Sequence, residues 1–197
     1  MEVFLKVIGF FGQSLFAGRV VYQWFASERA GRPVVPRGYW GLSLSGGLLV
    51  LFYAVGRHNL VFAMSVLPGA VIAWMNMRIR RVSSRRELAP WGVALLVLVV
   101  WATWAKPYVG TLLWATIGLT GSLLWSLRHL FQWWISERIG VPTLPLSFYL
   151  LSLAGSLLLL AYALYMRDIV MIAGYLFNFI PYLRILFLLR TPRARAS

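Results

Sequence analysis

Residues 23–36 read QWFASERAGRPVVP, and residues 132–145 read QWWISERIGVPTLP. The two strings share Gln-Trp, Ser-Glu-Arg, one glycine and two prolines at identical spacing, so a shift of 109 residues lays one on the other. The shift continues outward. Gly9 and Gly12 fall on Gly118 and Gly121, Arg19 on Arg128, Leu42-Ser43-Leu44 on Leu151-Ser152-Leu153, and Tyr53-Ala54 on Tyr162-Ala163. Roughly 22 of about 53 ungapped positions match, more than shared apolar composition alone produces. The chain is an internal duplication.

What solvent surrounds the two copies follows from composition. Of 197 residues, 60% are hydrophobic and 12% charged, with a positive mean hydropathy, a balance that a water-facing surface does not tolerate. The expected class is an all-α integral membrane protein. The net charge of +14 is concentrated between apolar runs, which reads as membrane orientation rather than nucleic-acid binding. Cysteine is absent, which removes disulfides, thiolate metal sites and thiol catalysis. The first apolar run lacks a basic leader and a small-residue cleavage site, so it is expected to be retained as a helix.

Seven spans are expected: Val3 to Phe25, Tyr39 to Val55, Leu60 to Met77 around Pro68-Gly69, Trp91 to Ala105, Gly110 to Ile135, Leu146 to Tyr165 and Ile169 to Leu189. The fourth, of about fifteen residues, is short for a hydrocarbon layer of roughly 30 Å. The domains follow as a three-helix repeat over 1–80, a linker with a short transmembrane helix over 81–109, a second repeat over 110–190 and a basic tail over 191–197. Two three-helix copies joined directly would face opposite ways, and one intervening helix restores a common direction. The count is then three, one and three in parallel repeats, the arrangement of the sugar-transporting SWEET proteins. Arginines crowd the loops after spans one, three and five, among them Arg29, Arg78, Arg86 and Arg138, and the tail. The expected topology is multi-pass, with the N-terminus outside and the C-terminus cytoplasmic.

Gly12, Phe16, Arg19, Gln23 and Ser27 recur at three- and four-residue steps and share one helix face, and Gly121, Trp125, Arg128, Gln132 and Ser136 repeat it. An arginine near the bilayer centre costs about 2.5–3.5 kcal/mol on insertion scales, so one in each copy calls for a partner. Two readings stand: a bound ligand that supplies a phosphate, sugar or carboxylate group, with anion binding foremost, or snorkelling or pairing with Glu28 or Glu137. Candidate substrate-binding residues are therefore Arg19, Arg128, Gln23 and Gln132, with Asn76 and Asn178 from the third and seventh spans. Trp24, Ser27, Glu28 and Arg29, with Trp133, Ser136, Glu137 and Arg138, form candidate gating or docking motifs. His58 and His129 stand apart from any carboxylate pair, and neither a metal site, a cofactor fingerprint nor an acid–base constellation is recognisable.

Gln-Trp-x-x-Ser-Glu-Arg followed by Gly-x-Pro-x-x-Pro, an aromatic pair and Leu-Ser-Leu-x-Gly resembles the lipid-A biosynthesis N-terminal domain, here in two copies, Gly9 to about Met77 and Gly118 to about Leu186. Such modules look distantly like the SWEET and PQ-loop transporters, although the PQ dipeptide is absent. The family's aromatic-x-x-Asn pattern is approached at Trp74-Met-Asn76, whereas the second copy has Tyr182-Leu-Arg184. The resemblance implies handling of lipid-linked saccharides in the bacterial envelope, at the inner membrane. The expected function is a non-enzymatic transporter or flippase-like protein for a phosphorylated or lipid-linked saccharide. The alternative is a scaffold that docks a glycosyltransferase and presents its lipid acceptor. Expected partners are the lipid, the membrane and a glycosyltransferase, with no nucleic acid and no cofactor. An interior polar cavity between the repeats separates transport from a solid scaffold.

Overall fold

The computed structural model describes residues 1–31, 34–36, 38–78, 110–140 and 145–190. Six helices and no strand occur among them: α1 Glu2–Ala30, α2 Tyr39–Gly56, α3 Leu60–Arg78, α4 Leu112–Ile139, α5 Leu146–Tyr165 and α6 Ile169–Arg190. The expected fourth span, Trp91 to Ala105, and the tail lie outside the described residues. By length and composition α1, α2, α3 and α5 can cross a membrane. Of the seven expected spans, four are thus matched by helices of that length and composition among the described residues. In α4 the apolar run is diluted by Arg128, His129 and Gln132, the polar residues that face inward rather than toward lipid.

Each helix packs on the next, and α6 closes on α1. Within a repeat the first two helices are antiparallel and cross at small residues: a Cβ on Gly46 would meet Gly12 O at 3.0 Å, and one on Gly155 would meet Gly121 O at 3.1 Å. Between repeats like ends meet. Ser122 Oγ, early in α4, donates to Val61 O, early in α3, at 2.7 Å. A Cβ on Gly118 would touch Val61 Cγ1 at 2.9 Å, as one on Gly9 would touch Val170 Cγ1 at 2.8 Å. Hence α3 runs with α4 and α6 with α1, and the two copies are parallel. Below, "upper" is the end where α1 begins and "lower" the end where it finishes.

The turns repeat as well. Helices α1 and α4 both stop at a glycine in the left-handed region, Gly31 at φ 62° and Gly140 at φ 78°, where a side chain would be strained. The upper turns place His58 and Arg167, 109 residues apart, at φ 52°, a conformation costing a non-glycine residue about 1 kcal/mol and held by the helices either side. Pro68, inside α3, has no N–H for the carbonyl of Met64; Ser126 Oγ of α4 supplies the missing donor at 3.2 Å.

Apolar side chains point outward, with Phe4, Phe11, Leu48, Phe52, Leu123 and Leu157 all more than half exposed. Polar ones point inward, including Arg19, Gln23, Ser43, Arg128, Gln132 and Ser152. This inside-out distribution is stable where the surroundings are lipid and interior polar groups satisfy one another.

Candidate functional site

The stripe of α1 and its copy on α4 converge on the boundary between the repeats. Arg19 is 4% exposed and Arg128 is 2%. Ser43 Oγ donates its own proton to Tyr39 O at 2.6 Å, one helical turn back, so its lone pairs are free to accept from Arg19 Nη1 at 2.8 Å. The second copy repeats this through Ser152, which donates to Phe148 O and accepts from Arg128 Nη1 at 3.0 Å. Each guanidinium also lies over a ring of its own helix, Arg19 at 4.5 Å from the Phe16 centroid and Arg128 at 3.4 Å from that of Trp125.

Around these groups is a cavity of about 30 Å³ between the repeats, lined by Gln13, Arg19, Ser65, Arg128, His129 and Tyr175 among others. Since a water needs roughly 10–15 Å³ measured this way, the space holds about two waters and is far too small for a sugar ring in this conformation. Ser65 Oγ and Tyr175 Oη, from opposite repeats, are 3.3 Å apart. Arg128 Nε donates to His129 Nε2 at 3.3 Å, which makes that nitrogen an acceptor and puts the imidazole proton on Nδ1. His129 Nδ1 and Arg19 Nε are buried with no hydrogen-bond partner. Among the described residues, no carboxylate lies within ion-pair distance of Arg19. Glu28 is exposed, beyond the lower end of the stripe, and accepts from Trp24 Nε1 at 3.0 Å.

Below the cavity, Gln23 Nε2 donates to Tyr149 Oη across the repeat boundary at 2.9 Å. Its counterpart Gln132 has a different partner, donating to Ser136 Oγ at 2.9 Å and accepting from Asn76 Nδ2 at 3.5 Å. Asn76 also donates to Ile72 O, while its Oδ1 is buried without a partner. Asn76 is therefore an interior residue at the α3–α4 contact, not a water-facing one. The Asn178 and Glu137 side chains lie outside the described residues.

The Ser-Glu-Arg segments divide. Ser27 and Ser136 are buried, and Ser27 Oγ accepts from Val34 N at 3.1 Å, tying the loop to its helix. Glu28, Arg29 and Arg138 are exposed, and Arg138 lies 3.8 Å over the Trp134 ring. Trp133 is half-buried, and its Nε1 has no partner.

Sequence reasoning missed three sets of polar groups. His129, set aside as isolated, touches Arg128 and occupies the space where a Cβ on Gly69 would meet its Nε2 at 2.8 Å. Ser43 and Ser152 were visible only as part of the repeated Leu-Ser-Leu. Above the cavity, Tyr53 Oη donates to both oxygens of Asp168 at 2.8 and 2.7 Å, and Asn59 Nδ2 donates to Tyr162 Oη at 3.2 Å. Asp168 and Asn59 also cap α6 and α3, accepting from Met171 N and Phe62 N at 3.1 Å each. The 109-residue shift maps one pair onto the other, and that was the signal available.

No solved structure matches the chain. It is similar to proteins named lipid-A-disaccharide synthase from Chlamydia muridarum (29% identical over 198 residues, 89% of this chain and 32% of the relative), Chlamydia abortus (29% over 211 residues, 93% and 33%) and Chlamydia pneumoniae (28% over 187 residues, 87% and 31%). The chain spans about a third of the length of these relatives. Their name is that of an enzyme, and this overturns the expectation of a non-enzymatic protein. That expectation rested on finding no acid–base constellation within 197 residues, a stretch that corresponds to only part of each relative. The Lipid A Biosynthesis N-terminal domain matches twice, over residues 8–78 and 117–187, so this membrane protein belongs to that family and carries its domain in tandem.

Proposed function

We propose that the chain is a membrane module of the lipid A pathway that holds an anionic, lipid-linked saccharide between its two repeats and offers it to the disaccharide-forming chemistry for which its relatives are named. The observation that carries this reading is the pair of buried arginines, one from each repeat, lining a single cavity on the repeat boundary. A phosphate or other acidic group of the lipid would take the guanidinium charge, Gln23 and Gln132 would bond saccharide hydroxyls, and Asn76 and Asn178 would extend the polar lining. The closed cavity admits no sugar, so loading requires the repeats to part. In this reading the chain has seven spans as 3+1+3, the domain limits drawn above, and an inner-membrane location with the C-terminus cytoplasmic, beside the glycosyltransferase it serves. A second reading, flippase-like movement of the same lipid, is favoured by polar contacts across the repeat boundary at both ends, Tyr53–Asp168 above and Gln23–Tyr149 below.

Native mass spectrometry of the full chain with an acylated saccharide carrying one phosphate tests the proposal. Retention by the wild type, lost on Arg19→Gln or Arg128→Gln at unchanged protein abundance, is expected. Equal retention of a phosphate-free analogue, or equal retention by the double variant, overturns it. If the arginines serve only their interior bonds to Ser43 and Ser152, the same substitutions lower thermal stability and leave retention unchanged.

A further inference from the structure

We propose that the seam between α1 and α6 is a lateral portal through which the lipid-linked saccharide enters from the bilayer, with Gln13 as its movable wall. The identity of the ligand rests on the saccharide reading above, whereas the portal is a property of the seam and is tested without that ligand.

Loading requires the repeats to part, and the ring of six helices has two seams between them, α3–α4 and α6–α1. The 109-residue shift pairs these seams level by level. Toward the upper end, Ser122 of α4 is 1% exposed and donates to a backbone carbonyl of α3 at 2.7 Å. Its counterpart in α1 is Gln13, which is half-buried and donates to the Met171 thioether at 3.5 Å, a weak acceptor on a flexible side chain. One turn on, Ser126 of α4 meets the carbonyl that Pro68 releases, whereas α1 has Ala17, which carries no side-chain donor. Lower still, Gln132 of α4 accepts from Asn76 of α3, whereas Gln23 of α1 gives its amide proton to Tyr149 of α5. Polar groups of α4 thus hold α3 at three levels, and the matching residues of α1 do not repeat that hold on α6.

The cavity wall differs in the same sense. On the α3–α4 side, His129 is 3% exposed and packs on Gly69, where a Cβ would come within 2.8 Å of its Nε2. On the α1–α6 side, the Gln13 amide lies across the bare backbone of Gly174, in the space that a Cβ there would occupy, with Met171 beside it. Position 174 corresponds to Ser65 in the first copy, so the second copy alone leaves this room. Gln13 both lines the cavity and reaches the outside of the bundle, and its side chain turns far more readily than a packed helix moves. Swinging it away opens the polar interior toward lipid. An amphiphile entering sideways keeps its acyl chains in hydrocarbon while its polar head moves in between the arginines.

The chain has no cysteine, so a single one placed on the cavity wall reports access. Ser65→Cys does this at a fully buried lining position with little change of volume. The full chain in lipid vesicles is treated with membrane-permeant N-ethylmaleimide and, separately, with a charged methanethiosulfonate in the water, each rate taken relative to the unfolded chain. The maleimide should react and the charged reagent should be excluded. Because labelling follows the population of open states, Gln13→Ala should speed it about tenfold, while Ser122→Ala, a truncation at the same level of the other seam, should leave it unchanged. Gln13→Phe, a bulkier apolar wall, should slow it, and keeps the portal testable if the alanine variant misfolds. Equal acceleration by Gln13→Ala and Ser122→Ala, or none by Gln13→Ala in a folded protein, overturns the assignment to α1–α6. Preferential labelling by the charged reagent means entry from water and overturns it as well. Uptake of an acylated, phosphorylated saccharide into the same protein should be slowed by Gln13→Phe. If the wild type takes up none while the labelling pattern holds, the portal stands and the saccharide reading alone falls.

Discussion

The duplication supplies its own control for the energetics of the upper contacts. Tyr53 gives its proton to a carboxylate, Asp168, at 2.7–2.8 Å, whereas Tyr162, at the same place in the other copy, accepts from the amide of Asn59 at 3.2 Å. Both tyrosines are essentially buried, at 1% and 0% exposure, so solvent does not replace what is lost. Tyr53→Phe removes a bond to a charged group, worth about 1.5–3 kcal/mol, and leaves the carboxylate with Met171 N–H as its remaining donor. Tyr162→Phe removes a neutral bond worth about 0.5–1.5 kcal/mol. At roughly 2–4 °C per kcal/mol for a chain of this size, the unfolding temperature should fall by roughly 3–12 °C in the first variant and by about half of that or less in the second. Asp168→Asn should be milder than Tyr53→Phe, because it installs in the second copy the Asn–Tyr pair that the first already uses. Tryptophan fluorescence during heating in detergent reads all three. If Tyr162→Phe costs as much as Tyr53→Phe, or if Asp168→Asn is the worst of the three, the contacts are not carrying the load assigned to them.

Reporters fused after Ser83 and at Ser197 should both read cytoplasmic, and one in the Arg57-His58 turn should read external; an external tail eliminates an odd number of crossings. Gly155→Ala puts a Cβ 2.9 Å from the Trp125 backbone nitrogen, which cannot move aside, and should destabilise the fold by about 1–3 kcal/mol in a denaturation series. Gly18→Ala, where nothing lies within 4 Å, should instead stabilise it slightly, by up to about 1 kcal/mol, through helix propensity. Equal and opposite-to-expected shifts in that pair would remove close helix crossing as the reason for the glycine.

What the sequence made legible was whatever repeated. The stripe Gly12-Phe16-Arg19-Gln23-Ser27 was found because it recurs 109 residues later, and the interior positions of Arg19, Gln23 and Ser27 agree with its spacing. What does not repeat stayed hidden. His129 corresponds to Val20 in the first copy, so no comparison of the copies flagged it, and its importance lies in contacts with Arg128 and Gly69 that only packing creates. Asn59 and Asp168 do correspond, but one is an amide and the other a carboxylate, and in isolation each reads as an ordinary polar residue at a turn. Asn76 read only as a polar residue of the third span, and the contact with Gln132 across the α3–α4 boundary that holds it inside is made by packing. Composition reports what a helix is made of; it does not report which neighbour completes a hydrogen bond.

The parallel relation of the repeats constrains the whole chain more tightly than any single contact. Helix α3 ends at the lower side with Arg78, and α4, lying beside it and pointing the same way, begins at the upper side with Leu112. The two ends are separated by the length of a nineteen-residue helix, about 28 Å at 1.5 Å per residue, or most of a hydrocarbon layer. A direct hairpin between α3 and α4 is therefore excluded by the Ser122–Val61 and Ser126–Met64 bonds, which hold the like ends together. The same two bonds satisfy carbonyls of α3 with hydroxyls of α4, one of them the carbonyl released by Pro68, so the proline and the parallel packing depend on each other. Reversing α4 would strand that carbonyl in lipid and carry Arg128 away from the level of Arg19. One cavity lined by both arginines is thus a consequence of the parallel repeat, and a chain with antiparallel copies of the same two sequences would not possess it.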